Sequence, residues 1–329
     1  MTPVARLTLH PPAKVNLVLD VLGRTPDGYH TLETVFERLD LADELILTQA
    51  RDGIALTCTD PAVPTDGRNL VVRASEMFFR ATRATGGRGG VAAHLVKRIP
   101  VAGGLGGGSS DAASTLVGLN ALYDTRMAEP ALRELGRQLG ADVPFFVTGA
   151  VIGFGQGRGD LVTAWDPPAN PYWHVLVNHG VPVLTKKVYE TFDAQHSATD
   201  PSPRLTARRA DVTLLRRSVR RGDPKTLAGH LRNALEPAIE ANDPAIRELK
   251  AALVACGALG VLVSGSGPTT FGLAGDESHA RRIQAVLQRD HPTWTVLVTR
   301  TARSAPTSPV SSVRGDAHHV REPDVDRAV

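Results

Sequence analysis

The chain has 329 residues, 42% hydrophobic and 22% charged, which at roughly 150 residues per domain allows about two globular domains and excludes a fibrous or disordered chain. The formal charge of +3, from 37 Lys plus Arg against 34 Asp plus Glu, is too small an excess to imply polyanion binding. Cys58 and Cys256 stand far apart without a CxxC pattern, the N-terminus lacks signal-peptide character, and no apolar run is long enough for a membrane span; together these predict a cytoplasmic protein with no membrane association.

Residues 5–22 alternate as a strand-like stretch that the Thr25-Pro26-Asp27-Gly28 turn punctuates, and 39–48 and 54–59 read as further strands. Over 69–83 the apolar positions Leu70, Val71, Ala74, Met77, Phe78 and Ala81 recur at helical spacing, and 91–99 returns to strand. A Gly-rich loop then opens a helix through Leu122, a short helix covers 133–139, and 147–154 reads as a strand. Beyond the Pro167-Pro168 link come a strand at 173–178 and helices at 185–193, 211–221, 224–236 and 244–256. On the second of these helices Leu214, Leu215 and Val219 face inward and Arg216, Arg217, Arg220 and Arg221 outward. Strands at 260–264 and 269–274, a helix at 277–289 and a strand at 293–301 complete an α/β layout, and the polar residues 303–329 read as a disordered tail.

The most informative segment is Pro100-Val101-Ala102-Gly103-Gly104-Leu105-Gly106-Gly107-Gly108-Ser109-Ser110-Asp111, with five glycines in the six positions from 103 to 108. Glycines between a strand and a helix let the backbone approach an anion, while the helix N-terminus supplies free N–H groups and a favourable dipole. Phosphate binding is the direct reading, with an ordinary capped surface loop as its alternative. Ser109 stands where a Walker A loop needs Lys, and a GxGxxG count from Gly104 also ends on Ser109. Two common nucleotide folds are thereby disfavoured. Ser109, Ser110 and Asp111 are placed either to cap the helix or to reach a Mg²⁺ carried by a triphosphate.

Two other segments join this loop. Pro12-Ala13-Lys14-Val15-Asn16-Leu17-Val18-Leu19 resembles the N-terminal motif of the GHMP small-molecule kinases, Pro100 to Ala113 resembles their phosphate loop, and Ser264-Gly265-Ser266-Gly267-Pro268-Thr269-Thr270-Phe271-Gly272 resembles their C-terminal Gly-rich motif. The resemblance narrows at Gly23 to Leu32 (GRTPDGYHTL) and at Gly140-Ala141-Asp142-Val143-Pro144-Phe145-Phe146, which are similar to the 4-diphosphocytidyl-2-C-methyl-D-erythritol kinases of non-mevalonate isoprenoid biosynthesis. It implies a two-domain α+β fold: an N-terminal ATP-binding α/β domain over 1–163 and a C-terminal ferredoxin-like α/β domain over 164–302, with the tail outside the match. It also implies ATP with Mg²⁺ as co-substrate and a cytidine diphosphate methylerythritol conjugate whose 2-hydroxyl is phosphorylated.

By this resemblance Lys14 and Asp142 are the catalytic pair, Asp142 accepting or orienting the hydroxyl proton and Lys14 stabilising developing charge. Pro100 through Ser110 hold ATP, with Lys97 near the nucleotide. Tyr29 stacks on the cytosine, His30 reads its edge, Asn16 lies near the substrate, and Tyr189 and Thr185 line its opposite side. Taken singly, Lys14 also reads as a snorkelling strand lysine, Asp142 as a helix N-cap, Lys97 as an exposed strand lysine and Tyr189 as core. A non-catalytic ligand sensor of the same fold is disfavoured because Lys14, Asp142 and the loop are all present. The Arg204, Arg208, Arg209, Arg216, Arg217, Arg220 and Arg221 cluster has no aromatic platform beside it and reads as a solvated face, so no nucleic acid partner is expected. The histidines lack HExxH spacing, so no protein-held metal is expected, and nothing in the sequence speaks to oligomeric state.

Overall fold

Alternating apolar residues, broken by Gly and Pro turns, fold into three sheets interleaved along the chain with helices. The computed structural model describes residues 5–83, 89–196 and 205–303. In chain order the elements of the first half are β1 (Arg6–Leu9), β2 (Pro12–Arg24), β3 (His30–Ala42), β4 (Glu44–Ala50), β5 (Ile54–Cys58), α1 (Leu70–Arg83), β6 (Gly90–Val96), α2 (Gly107–Leu122), α3 (Glu129–Leu139), α4 (Val143–Val147), β7 (Ile152–Gln156) and β8 (Leu161–Trp165). The second half contains β9 (Trp173–Asn178), α5 (Thr185–Gln195), α6 (Leu205–Arg221), α7 (Pro224–Ala228), β10 (Arg232–Asn233), α8 (Glu236–Asn242), α9 (Ala245–Ala255), β11 (Gly260–Val263), β12 (Thr270–Ala274), α10 (Glu277–Asp290) and β13 (Thr295–Arg300). Among the described residues no helix is long and apolar enough to cross a membrane. The expected tail lies outside the described residues except for Arg303 at its edge, and so does Arg204.

One sheet runs β1-β4-β6-β5, a second β10-β2-β3-β7-β8, and the third β11-β12-β9-β13. The third is antiparallel throughout. Its order, with α9 leading into β11 and α10 between β12 and β13, is the split βαβ pattern of ferredoxin-like domains, as the sequence led us to expect. The second sheet crosses the midpoint of the chain, because β10 pairs in parallel with β2 through Arg232 opposite Val18 and Asn233 opposite Leu19. A buried cluster likewise mixes Val15, Leu17 and Leu39 with Tyr172, Leu262 and Phe271. The two halves therefore share core, which fixes the cleft between them.

Several expected elements are corrected. The strand placed over 39–48 is two strands, because β3 runs from His30 to Ala42 and the chain turns at the fully buried Asp43. The strand placed over 147–154 begins as helix α4, whose apolar run Val143–Val147 fits either state; Gly149, at φ 69°, turns the chain into β7. The helix placed over 224–236 stops at Ala228 and gives way to β10, which exists only through its pairing with β2. Leu214, expected inward, is half exposed, whereas Leu215 and Val219 are buried. Phe271 is fully buried between His174, which meets its ring edge-on at 5.4 Å, and the shared apolar cluster. Phe271→Ala should destabilise the protein by about 3–5 kcal/mol, read as a lower midpoint in urea unfolding; a shift below about 1 kcal/mol would show that the core there collapses to fill the space.

Candidate functional site

The phosphate-type loop is shaped by close approaches at two of its glycines. Gly104 (φ 75°) lies where a Cβ would fall 2.5 Å from the Ser264 carbonyl oxygen and 2.8 Å from that of Gly267. Gly106 (φ 70°) lies where a Cβ would meet Lys14 Cγ at 2.9 Å and Phe146 Cζ at 3.0 Å. Only glycine fits either position without displacing backbone or core. Ser264 Oγ donates to Gly104 O at 3.1 Å, Thr269 N to Gly103 O at 3.2 Å, and Lys14 N to Leu105 O at 2.9 Å. The three motifs that lie apart in sequence thus meet on one loop.

Lys14, on β2, keeps only 4% of its side chain exposed, and its ammonium sits 3.3 Å from Asp142 Oδ2 and donates to Asn16 Oδ1 at 2.7 Å. Asn16 passes the network to Thr34 Oγ1 at 2.8 Å, which donates to Val18 O at 2.7 Å, so the Lys14 head is held in one direction. Its ammonium also lies 5.7 Å from the centre of the Phe36 ring. Asp142 stands at the N-terminus of α4 yet makes no capping hydrogen bond, so its carboxylate is left to Lys14 and the cleft. The capping and surface-lysine readings of these two residues do not describe what they do here.

Two adjoining clefts share this loop. The larger, about 770 Å³, is lined by Lys14, Asn16, Asp142, Ser109, Gly104 and Gly106 at one end and by Tyr29, His30, Thr185 and Tyr189 at the other. The smaller, about 360 Å³, runs from Pro100 to Ser109 and is closed by Val63, Pro64, Arg68, Asn69 and Lys97. Ser109 lines both. Thr185 Oγ1 lies 2.8 Å from Ser266 Oγ, joining the start of α5 to the C-terminal Gly motif. Tyr29 is half exposed with the Arg158 guanidinium 3.9 Å above its ring, whereas Tyr189 stacks on His30 at 4.6 Å. The two tyrosines therefore do not face one another in this conformation. Burial pushes the Tyr189 hydroxyl well above its ordinary pKa, with the Asp142 charge adding to the rise.

Two readings around the loop are corrected. The helix cap is Gly106, so Ser109 and Ser110 belong to the first turn of α2 and Asp111 follows it, and Ser110 is fully buried with its hydroxyl unpartnered. Lys97 is no exposed lysine: it lines the smaller cleft and is ion-paired to buried Asp43 and, at 2.9 Å, to buried Asp111. Asp43 Oδ1 also accepts from the backbone of Arg98 at 2.6 Å and Ile99 at 2.9 Å, tying the strand end to the loop. Asp43, Arg158 and Asn69 were missed, and Asp111 was read as a cap or a magnesium-reaching group instead of a partner of Lys97, because each gains its role from a partner distant in sequence. The one available signal was the acid directly after Ser109-Ser110, four residues into an apolar helix.

One ammonium between two buried carboxylates leaves one negative charge too many for so dry a place. Burial pushes the Asp111 carboxyl up to about 7, against the pull of Lys97 and with Asp43 adding to the rise. Burial acts to lower Lys97, but Asp111 and Asp43 outweigh it and hold the ammonium above the ordinary lysine range. The folded protein thus keeps a proton on Asp111 that the unfolded chain, with an ordinary value of 3.8, has already lost. This contribution to stability is full below about pH 4 and is lost as pH rises through about 7. Urea unfolding of wild type and Asp111→Asn at pH 5, 6, 7 and 8 should show the wild type losing ground to the variant as pH rises; parallel profiles would place the proton elsewhere.

The model of the GHMP kinases N terminal domain matches residues 69–150, and that of the GHMP kinases C terminal matches residues 215–293. The chain is 42% identical over 291 residues to a 4-diphosphocytidyl-2-C-methyl-D-erythritol kinase of Pelotomaculum thermopropionicum, covering 88% of this chain and 96% of the relative. It is 42% identical over 277 residues to the kinase of the same name from Geobacter metallireducens, covering 84% and 92%. Among solved structures, a crystal structure of 4-(cytidine 5'-diphospho)-2C-methyl-D-erythritol kinase superposes with a TM-score of 0.72 at 35% identity, covering 90% of this chain and 100% of that one. An L. major mevalonate kinase, at 17% identity and a TM-score of 0.67 over 92% of this chain and 98% of that one, shares the fold. By these two family models and by this identity over most of its length, the chain belongs to the GHMP kinases and, within them, to the 4-diphosphocytidyl-2-C-methyl-D-erythritol kinase family.

Proposed function

We propose that the chain transfers the γ-phosphoryl group of ATP to the 2-hydroxyl of 4-diphosphocytidyl-2-C-methyl-D-erythritol, giving the 2-phosphate and ADP. The reading also divides the chain into an N-terminal domain over 1–163 and a C-terminal domain over 164–302. The observation that carries the reaction is the Lys14–Asp142 pair, 3.3 Å apart, at the junction between the Gly loop and the larger cleft. In this reading the triphosphate runs along Gly103–Ser109 from the smaller cleft, where Asn69 and Arg68 edge an opening suited to a purine, and the acceptor alcohol enters from the larger one.

Phosphoryl transfer leaves little covalent work for the protein, so positioning and charge stabilisation dominate. Asp142, freed from capping, accepts the hydroxyl proton as oxygen attacks phosphorus and the bond to the β-phosphate bridging oxygen breaks. Lys14, fixed by Asn16, lies where it offsets charge on the transferred oxygens, and its burial makes that interaction stronger than it would be in water. The first amides of α2, behind Gly106, face the same region with the favourable end of the helix dipole.

Magnesium fits as an ion brought by the triphosphate. It takes oxygen ligands and keeps several waters, and among the described residues no group of three or more His, Cys, Asp or Glu is placed to hold a metal. Ser109, facing both clefts, is the hydroxyl placed to reach it, and the bound ion would supply charge neutralisation on the β- and γ-phosphoryl oxygens. At the far end of the larger cleft, Tyr29 offers an exposed ring face and His30 a ring edge for the cytosine.

Coupled measurement of ADP release should show turnover with the cytidine diphosphate conjugate and little with the same polyol phosphate lacking the nucleotide. Asp142→Ala should lower kcat by about 10²–10⁴-fold, the usual range for a lost general base, with an unchanged circular dichroism spectrum. Equal turnover of both alcohols would move the substrate assignment, and a folded Asp142→Ala variant with full activity would remove Asp142 from the chemistry. Lys14→Met should lower kcat by about 10²–10³-fold, and a change confined to KM would assign Lys14 to ground-state binding instead.

A further inference from the structure

The base end of the larger cleft is assembled from residues 163 positions apart: His30, the first residue of β3, and Asp193, on α5, whose Nε2 and Oδ1 lie 2.6 Å from each other. Asp193 Oδ2 also lies 3.4 Å from Arg24 Nη1, and Arg24 Nε donates to Gly28 O at 3.0 Å, so the same carboxylate braces the turn that carries Tyr29. One helical turn earlier on α5, Tyr189 covers the face of the His30 ring at 4.6 Å, and Phe192 meets it edge-on at 6.3 Å. The helix therefore holds both the plane and the edge of the imidazole, and 12% of the His30 side chain stays open to the cleft.

An ionised carboxylate only accepts hydrogen bonds, so the proton on this contact belongs to His30 Nε2. In the neutral ring the other nitrogen, Nδ1, is then a lone-pair acceptor, and it has no protein partner among the described residues. An acceptor at the base edge pairs with a pyrimidine bearing an exocyclic amine and is left unpaired, facing another acceptor, by one bearing a carbonyl at that position. We infer that Asp193 is a positioning residue that fixes the Nε2–H tautomer of His30 and thereby makes the cleft select cytidine over uridine diphosphates. The inference deepens the proposed function and rests on its placement of the base against Tyr29 and His30.

The test uses the full chain, with cytidine 5'-diphosphate and uridine 5'-diphosphate as probes in calorimetric titrations and ¹⁵N NMR of histidine-labelled protein without ligand. Wild type should carry the His30 proton on Nε2 and prefer the cytidine probe. Asp193→Ala should mix the two tautomers and reduce the preference by about tenfold, leaving KM for ATP unchanged, and Asp193→Asn, which retains an acceptor oxygen, should restore part of it. A wild-type His30 protonated on Nδ1, or an Asp193→Ala variant with unaltered tautomer and unaltered preference, overturns the inference. Failure of the functional reading looks different: the wild type would not turn over the cytidine conjugate, whatever the tautomer of His30.

Discussion

The backbone contact between Gly104 and the Ser264–Gly267 turn is the constraint on which the rest of this molecule depends. Two segments of chain approach more closely there than any side chain permits, with Ser264 and Thr269 hydrogen-bonded to the carbonyls of Gly104 and Gly103. The contact brings the C-terminal Gly motif against the N-terminal phosphate-type loop, and Gly265 then comes within reach of Lys14 and Asn16. The shared apolar cluster and the β10–β2 pairing hold the two halves of the chain in the same relation over a larger area. A cleft at such a seam can combine an anion cradle from one half with substrate-recognising side chains from the other.

Electrostatics are arranged around the loop in two layers. On the cleft side Lys14 is held by Asn16 and Asp142, poised toward developing charge; on the helix side Lys97 is locked between Asp43 and Asp111. The first arrangement leaves a carboxylate open to solvent and substrate, the second buries its carboxylates almost completely. That difference suits a reacting group in one case and a brace in the other. The brace joins the end of β6 to Asp111 near the start of α2, so the loop between them is anchored at both ends before any phosphate arrives.

Much of this was legible in the sequence, because glycine at positive φ and helix-opening loops leave a local signature. Five glycines in six positions, the Lys14 and Asp142 segments and the Ser264–Gly272 motif pointed to one phosphate-handling site, and the fold places them together. What stayed hidden depends on pairing across the chain. Asp193 is one acid on a polar helix until His30 meets it, Asp43 looks like an interruption within a strand until Lys97 and two backbone amides meet it, and β10 has two residues and no pattern of its own. The strand placed over 147–154 began too early because the apolar residues from Val147 onward satisfy either helical or extended periodicity, and only Gly149 decides where the strand can begin.

The measurement that tests this account most directly is steady-state kinetics of Gly104→Ala with ATP and the cytidine diphosphate conjugate, alongside its circular dichroism spectrum. A methyl group there must displace the Ser264 carbonyl, 2.5 Å away, and so move the two Gly motifs apart. If the seam assembles the reacting groups, kcat/KM falls by about 10²-fold or more for both substrates while secondary structure is retained, as misplacement by about 1 Å suffices for that loss. A folded Gly104→Ala protein with kcat/KM within about twofold of wild type would contradict the account, because the reacting groups would then be aligned without that contact.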